Sequence, residues 1–194
     1  MNNHHILRGT AAVLALLTAG AASAHTGHGV SGVADGLAHP LGADHLLAML
    51  AVGAWSAAGA GTPRYWLGPL SFLVAMGAGA WLGLAGLRSP LVEPGLALSV
   101  VLLGGMLALS SRLPTGPGLA LVALAASMHG LAHGAELPAG ASVAGYATGF
   151  LLTTAALHVG GAGLALALRP SGARVWQILG ASFGMAGLML LLRA

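Results

Sequence analysis

The sequence predicts an all-α integral membrane protein: six transmembrane helices following a cleaved N-terminal signal peptide. Three observations carry this. Of 194 residues, 57% are hydrophobic and only 6% are charged, against about 25% charged in a soluble domain. Six apolar stretches each approach the roughly 20 residues a helix needs to cross a bilayer. The breaks between them are short and carry proline, glycine and arginine.

Residues 1–24 read as the signal. Arg8 supplies the positive start, Ala11 to Leu17 the short apolar run, and Ala22-Ser23-Ala24 the small-residue cleavage pattern. The mature chain then begins at His25-Thr26-Gly27-His28. A free amine beside His25 and His28 can hold a divalent cation loosely; the competing reading is a polar tail.

The remaining residues, 25–194, form one domain. Its spans are expected over Gly32–Ala57, Tyr65–Leu87, Pro94–Ser110, Gly118–Gly134, Ala141–Leu168 and Val175–Leu192. Short connections make sequence neighbours antiparallel and leave no room for a soluble domain. Three spans per half would make the halves inverted if they are repeats, with span 1 matching span 4. A cleaved signal puts the mature N-terminus in the periplasm. Arg64, Arg112, Arg169 and Arg174 then fall on the cytoplasmic side, and Arg88 and Arg193 outside. Four against two agrees with the positive-inside rule. Six spans return the C-terminus to the periplasm, for a multi-pass protein of a bacterial inner membrane.

Composition excludes several functions. The basic residues are seven scattered arginines with no lysine, which gives no clustered face for nucleic acid. Without cysteine there are no disulfides and no thiolate metal sites. Most of the 32 glycines are explained by close helix packing. Met49 and Met128 are read as packing residues rather than soft ligands. Trp55, Tyr65 and Trp66 are read as anchors at a membrane interface.

Histidine is where the chemistry concentrates. Span 1 holds His39-Pro40-Leu41-Gly42-Ala43-Asp44-His45. An aspartate and two histidines at membrane depth need partners and mark an ion pathway. On a straight helix, at about 100° per residue, His39 and His45 would point about 120° apart. Pro40 kinks or restarts a helix, and a break at His39–Gly42 swings His39 toward Asp44 and His45. Irregular backbone at this depth is tolerated where it lines a cavity. Span 4 ends Met128-His129-Gly130-Leu131-Ala132-His133-Gly134-Ala135-Glu136. His129, His133 and Glu136 share one face at i, i+4, i+7. Imidazoles with a carboxylate suit nickel, cobalt, zinc or iron better than calcium or magnesium. Glu136, at the span's end, also fits a solvated residue. His158 in span 5, with Thr154 one turn before it, reads as an inner-path ligand or a group behind one. By depth, His39, His133 and Glu136 are expected as an outer ring. Asp44, His45, His129 and His158 are expected as a central site.

At these residues the sequence resembles the HupE/UreJ family of small nickel and cobalt permeases. The resemblance rests on His-Pro-Leu-Gly-Ala-Asp-His in span 1, His-Gly-Leu-Ala-His-Gly-Ala-Glu in span 4 and Thr-x4-His-x-Gly-Gly at 153–161. It covers most of the mature chain. It implies metal uptake across the inner membrane, supplying hydrogenase or urease maturation, and carries over His39, Asp44, His45, His129, His133 and Glu136 as transport residues. The His-x4-Asp-His element also resembles that of the larger nickel/cobalt transporters.

The leading expectation is thus a secondary permease, not an enzyme. Ni2+ or Co2+ is its substrate, no prosthetic group is needed, and lipid is its solvent. A second copy of the chain or a periplasmic metal donor is an expected partner. Two alternatives stay open. One is an intramembrane zinc hydrolase, against which His129-Gly-Leu-Ala-His133 lacks the glutamate base of His-Glu-x-x-His. The other is a metal sensor or accessory protein without flux.

Overall fold

Among the described residues, every regular element is a helix. The computed structural model describes residues 32–58, 64–110, 112–137 and 142–193. The expected signal peptide, with His25 and His28, lies outside them. The segment expected as span 1 is split into α1 (Val33–Ala38), a 3-10 turn (His39–Leu41) and α2 (Ala43–Ala58). The segments expected as spans 2 to 6 hold α3 (Arg64–Leu84), α4 (Val92–Ala108), α5 (Thr115–Glu136), α6 (Val143–Leu168) and α7 (Ala173–Leu191), with a 3-10 turn at Arg169–Ser171 before α7.

Helices α3, α5, α6 and α7 are each long and apolar enough to cross a membrane, and α1–α2 makes a fifth if the bent pair is one span. Helix α4, with 17 residues, is shorter. The expected boundaries lie within three residues of these helices. The misses at α4 and α5 have one cause. Pro94 and Pro117 sit inside the first turn of their helices, where backbone N–H groups have no intrahelical partner and proline costs nothing.

Helix α2 is the centre of the packing. Twelve of its 16 residues are buried, and it touches α3, α4, α5, α6 and α7. Met49, Val52 and Trp55 of α2 pack with Phe72, Val100, Leu103, Val122 and Phe183 from its neighbours. Trp55 is a correction. It was expected as an interface anchor, yet it is fully buried because Arg64 closes over it, 4.8 Å from the ring centroid. The Arg64 guanidinium donates to the Ser110 carbonyl at 3.0 Å. Tyr65 and Trp66 are exposed, as an interface position requires.

The most extensive pairings are α3 with α5, α4 with α7, and α1–α2 with α6. Exchanging the segments expected as spans 1 and 4, 2 and 5, and 3 and 6 maps this set of three pairings onto itself. Close backbone approach makes them. A Cβ at Gly130 would overlap the Met76 carbonyl oxygen, and one at Gly134 the Ala80 carbonyl oxygen. In the counterpart pair, Gly53 lies on the His158 carbonyl and Gly161 on the Leu50 carbonyl. In lipid, helix association depends on such fit rather than on hydrophobic exclusion.

Gly130→Ala should therefore force α3 and α5 apart and lower stability by about 1–3 kcal/mol. Gly105→Ala, whose Cβ meets nothing within 4 Å, should be neutral or stabilise by up to ~1 kcal/mol through helix propensity. Unfolding in mixed micelles by SDS titration measures both.

Candidate metal centre

The site begins at the break in span 1. Pro40 lies in the 3-10 turn, and its ring removes one helical hydrogen bond. Gly42 then adopts φ −56°, ψ 145°, leaving the helical region. Its N–H returns to the His39 carbonyl at 3.2 Å, and its own carbonyl accepts the first bond of α2, from Leu46 N–H at 2.8 Å. The two parts of the span meet at a 77° bend. This turn lays His39 over His45, with ring centroids 5.4 Å apart.

Asp44 falls in the first turn of α2, where the helix dipole favours a carboxylate. Its Oδ1 accepts the His45 backbone N–H at 3.0 Å and lies 3.4 Å from His45 Nδ1. Asp44 is partly open to solvent, with 28% of its side chain exposed against 7% for His45.

Helix α5 brings the third imidazole. The His133 ring centroid lies 4.5 Å from those of both His39 and His45. One ring nitrogen from each of His39, His45 and His133 lies within 4.8 Å of the others. Ligands about 2.1 Å from a tetrahedral ion stand roughly 3.4 Å apart, so a modest inward shift of the rings completes the set. Both nitrogens of His133 are buried and, among the described residues, have no hydrogen-bond partner. Burying such a polar group unpaired costs of order 1–3 kcal/mol, and a cation on the cluster would supply the missing interaction.

His129, one turn before His133, lies next to this triad rather than in it. It is fully buried. Its Nδ1 is 2.9 Å from His45 Nδ1, and its Nε2 is 2.9 Å from Ser99 Oγ on α4. Glu136, the last residue of α5, is exposed and outside the triad. His158 is buried on α6, apart from the cluster. The Phe72 ring stands beside both, 6.4 Å from His129 and 5.0 Å from His158. Among the described residues, neither His158 nitrogen nor the Thr154 hydroxyl has a partner in hydrogen-bonding geometry.

The arrangement thus differs from an outer ring above a central site. His45 joins His39 and His133 at one level, because the bend folds His39 back onto the start of α2. Four residues unremarked in the sequence also shape the site. Phe150 packs on His133 at 4.3 Å, Tyr146 lies 5.8 Å from His39, Phe72 stands near both His129 and His158, and Ser99 contacts His129. Tyr146 and Phe150 share a helix face at i, i+4, which is a legible signal. Ser99 is a lone hydroxyl within an apolar span, which is a weaker one.

Convergence of α1–α2 with α5 has a direct check in a chain without cysteines. A His39→Cys/His133→Cys protein should be bridged rapidly by a short bifunctional thiol reagent, read as protection from mass tagging. A His39→Cys/Val159→Cys control, with position 159 exposed on α6, should not be.

Comparison with known proteins points one way. The family described as "HupE / UreJ protein" matches residues 13–190. Protein HupE of Rhizobium leguminosarum bv. viciae is 40% identical over 184 residues, covering 94% of this chain and 96% of that protein. No solved structure matches the chain significantly. The matched segment contains the broken span and the three converging histidines, and on this match the chain belongs to the HupE/UreJ family.

Proposed function

We propose that the chain is a secondary permease of a bacterial inner membrane for a divalent transition-metal cation, Ni2+ or Co2+, supplying metalloenzyme or cofactor maturation. One observation carries the reading. Imidazoles from two different spans, His39 and His45 with His133, converge at a break in a membrane helix, and one of them is buried without a partner. Broken helices around a central site are how secondary transporters bind ions.

In this reading α1–α2 is one span and α4 another, giving six. Helix α4 is about 26 Å long at 1.5 Å per residue, against a hydrocarbon core of about 30 Å. Local thinning covers the difference. Residues 1–24 are a cleaved signal, and both mature termini are periplasmic. His25, His28 and Glu136 are approach groups near the periplasmic side. At the triad the ion exchanges part of its water shell for imidazole nitrogens, while Asp44 supplies the negative charge. Phe72 bars the way inward, and His158 with Thr154 receives the ion beyond it. A small number of neutral ligands lets the ion leave again. The chain contains no lysine and so no phosphate-binding Gly-Lys-Ser/Thr loop. A membrane potential of 100 mV favours inward movement of a dication by about 4.6 kcal/mol, twice the single-charge value. Partners in this reading are a periplasmic metal donor or a second copy of the chain.

A three-imidazole cluster also favours one other reading, a zinc hydrolase with an open coordination position. Flux separates the two. Purified protein in proteoliposomes should take up 63Ni2+ or 57Co2+ saturably, with uptake at least about tenfold lower in Asp44→Ala and His133→Ala. Tight metal binding without flux would reject the permease and leave the enzyme or a sensor.

A further inference from the structure

The Ser99 hydroxyl holds one hydrogen, and its position is determined. Ser99 Oγ lies 2.7 Å from the Leu96 carbonyl oxygen, which can only accept, so the hydroxyl donates there. His129 Nε2, 2.9 Å from the same oxygen, must then be the donor in that contact. A neutral imidazole carries one N–H, which leaves His129 Nδ1 a bare lone pair. That lone pair faces His45 Nδ1 at 2.9 Å, and the proton between them belongs to His45. Asp44 Oδ1, 3.4 Å from the same nitrogen, favours the same placement. His45 therefore keeps its proton on Nδ1, and Nε2 is left as its metal-binding nitrogen.

From this geometry we infer that Ser99 is a positioning residue. Acting through His129, it fixes His45 in the one neutral tautomer whose Nε2 lone pair can bind a divalent transition-metal cation. His129 then orients a ligand instead of serving as one, since both its nitrogens are engaged. Ligating histidines generally have their second nitrogen held in this way, and losing the holder typically weakens metal binding 10–100-fold. The inference deepens the permease reading and rests on it for the identity of the cation. The tautomer itself does not depend on it.

Without the Ser99 hydroxyl, His129 is free to take the other tautomer. It then donates from Nδ1 to His45 Nδ1, which moves the His45 proton to Nε2 and blocks the ligand. The experiment reads 15N-histidine NMR of the full protein in micelles without metal, with His45 signals assigned by their loss in His45→Gln. Wild type and Ser99→Thr should show His45 protonated at Nδ1. Ser99→Ala should show a mixed or reversed tautomer with an unchanged helical circular dichroism spectrum. By 63Ni2+ equilibrium dialysis, Ser99→Ala should bind about tenfold or more weakly, and Ser99→Thr within about twofold of wild type. An unchanged His45 tautomer in Ser99→Ala would overturn the inference, as would equal weakening by Ala and Thr. A wild-type protein that shows the Nδ1–H signal yet binds neither Ni2+ nor Co2+ would remove the permease reading and leave the relay standing.

Discussion

Pro40 cannot donate a backbone hydrogen bond, and Gly42 follows it out of the helical region. The rest of the site depends on that interruption. An unbroken helix would aim His39 and His45 in directions about 120° apart, so no neighbour could meet both. The 77° bend instead brings the two rings within 5.4 Å of each other, and a new helix starts at Ala43. The new start sets Asp44 where a carboxylate is favoured. It also turns His45 toward α5. Irregular backbone in a membrane survives only when it is enclosed by protein or lines a polar cavity, and here α6 packs along the break while His133 of α5 meets the His39 ring.

That packing is the work of small residues. Helix α3 can lie directly on α5, and α1–α2 on α6, because glycines at the contacts let backbone meet backbone. The same closeness delivers His133 to the triad and places Phe150 on its ring. The glycine content is therefore part of the candidate site's geometry. The buried hydrogen bonds add a second level of order. Ser99 and His129 come from helices different from His45's, so in the proposed relay the tautomer of His45 depends on packing among three helices.

Much of this was legible in the sequence, and for identifiable reasons. Apolar length and proline-marked breaks located the helices, because a membrane span needs both. The histidine spacing around Pro40 told that a straight helix could not use both rings, and the break fell where that spacing put it. What stayed hidden was tertiary. Periodicity placed His129 and His133 on one face but could not say that one meets the triad while the other holds it. The two-level arrangement of histidines assumed that depth follows chain position, and a bent span breaks that rule. Trp55 looked like an anchor because it lies near a span's end, yet Arg64 from the next helix covers it. Ser99 carried no pattern of its own, since its importance comes from a partner thirty residues away.

The central claim is that His39, His45 and His133 bind one transition-metal ion at the break in span 1. X-ray absorption at the nickel edge, on the purified protein loaded with one equivalent of Ni2+, tests it most directly. The account predicts strong imidazole scattering in the wild type, reduced by one ring in each of three variants, His39→Ala, His45→Ala and His133→Ala, and retained in His158→Ala. A shell of water and carboxylate oxygens alone, or a spectrum indifferent to these three histidines, would contradict it.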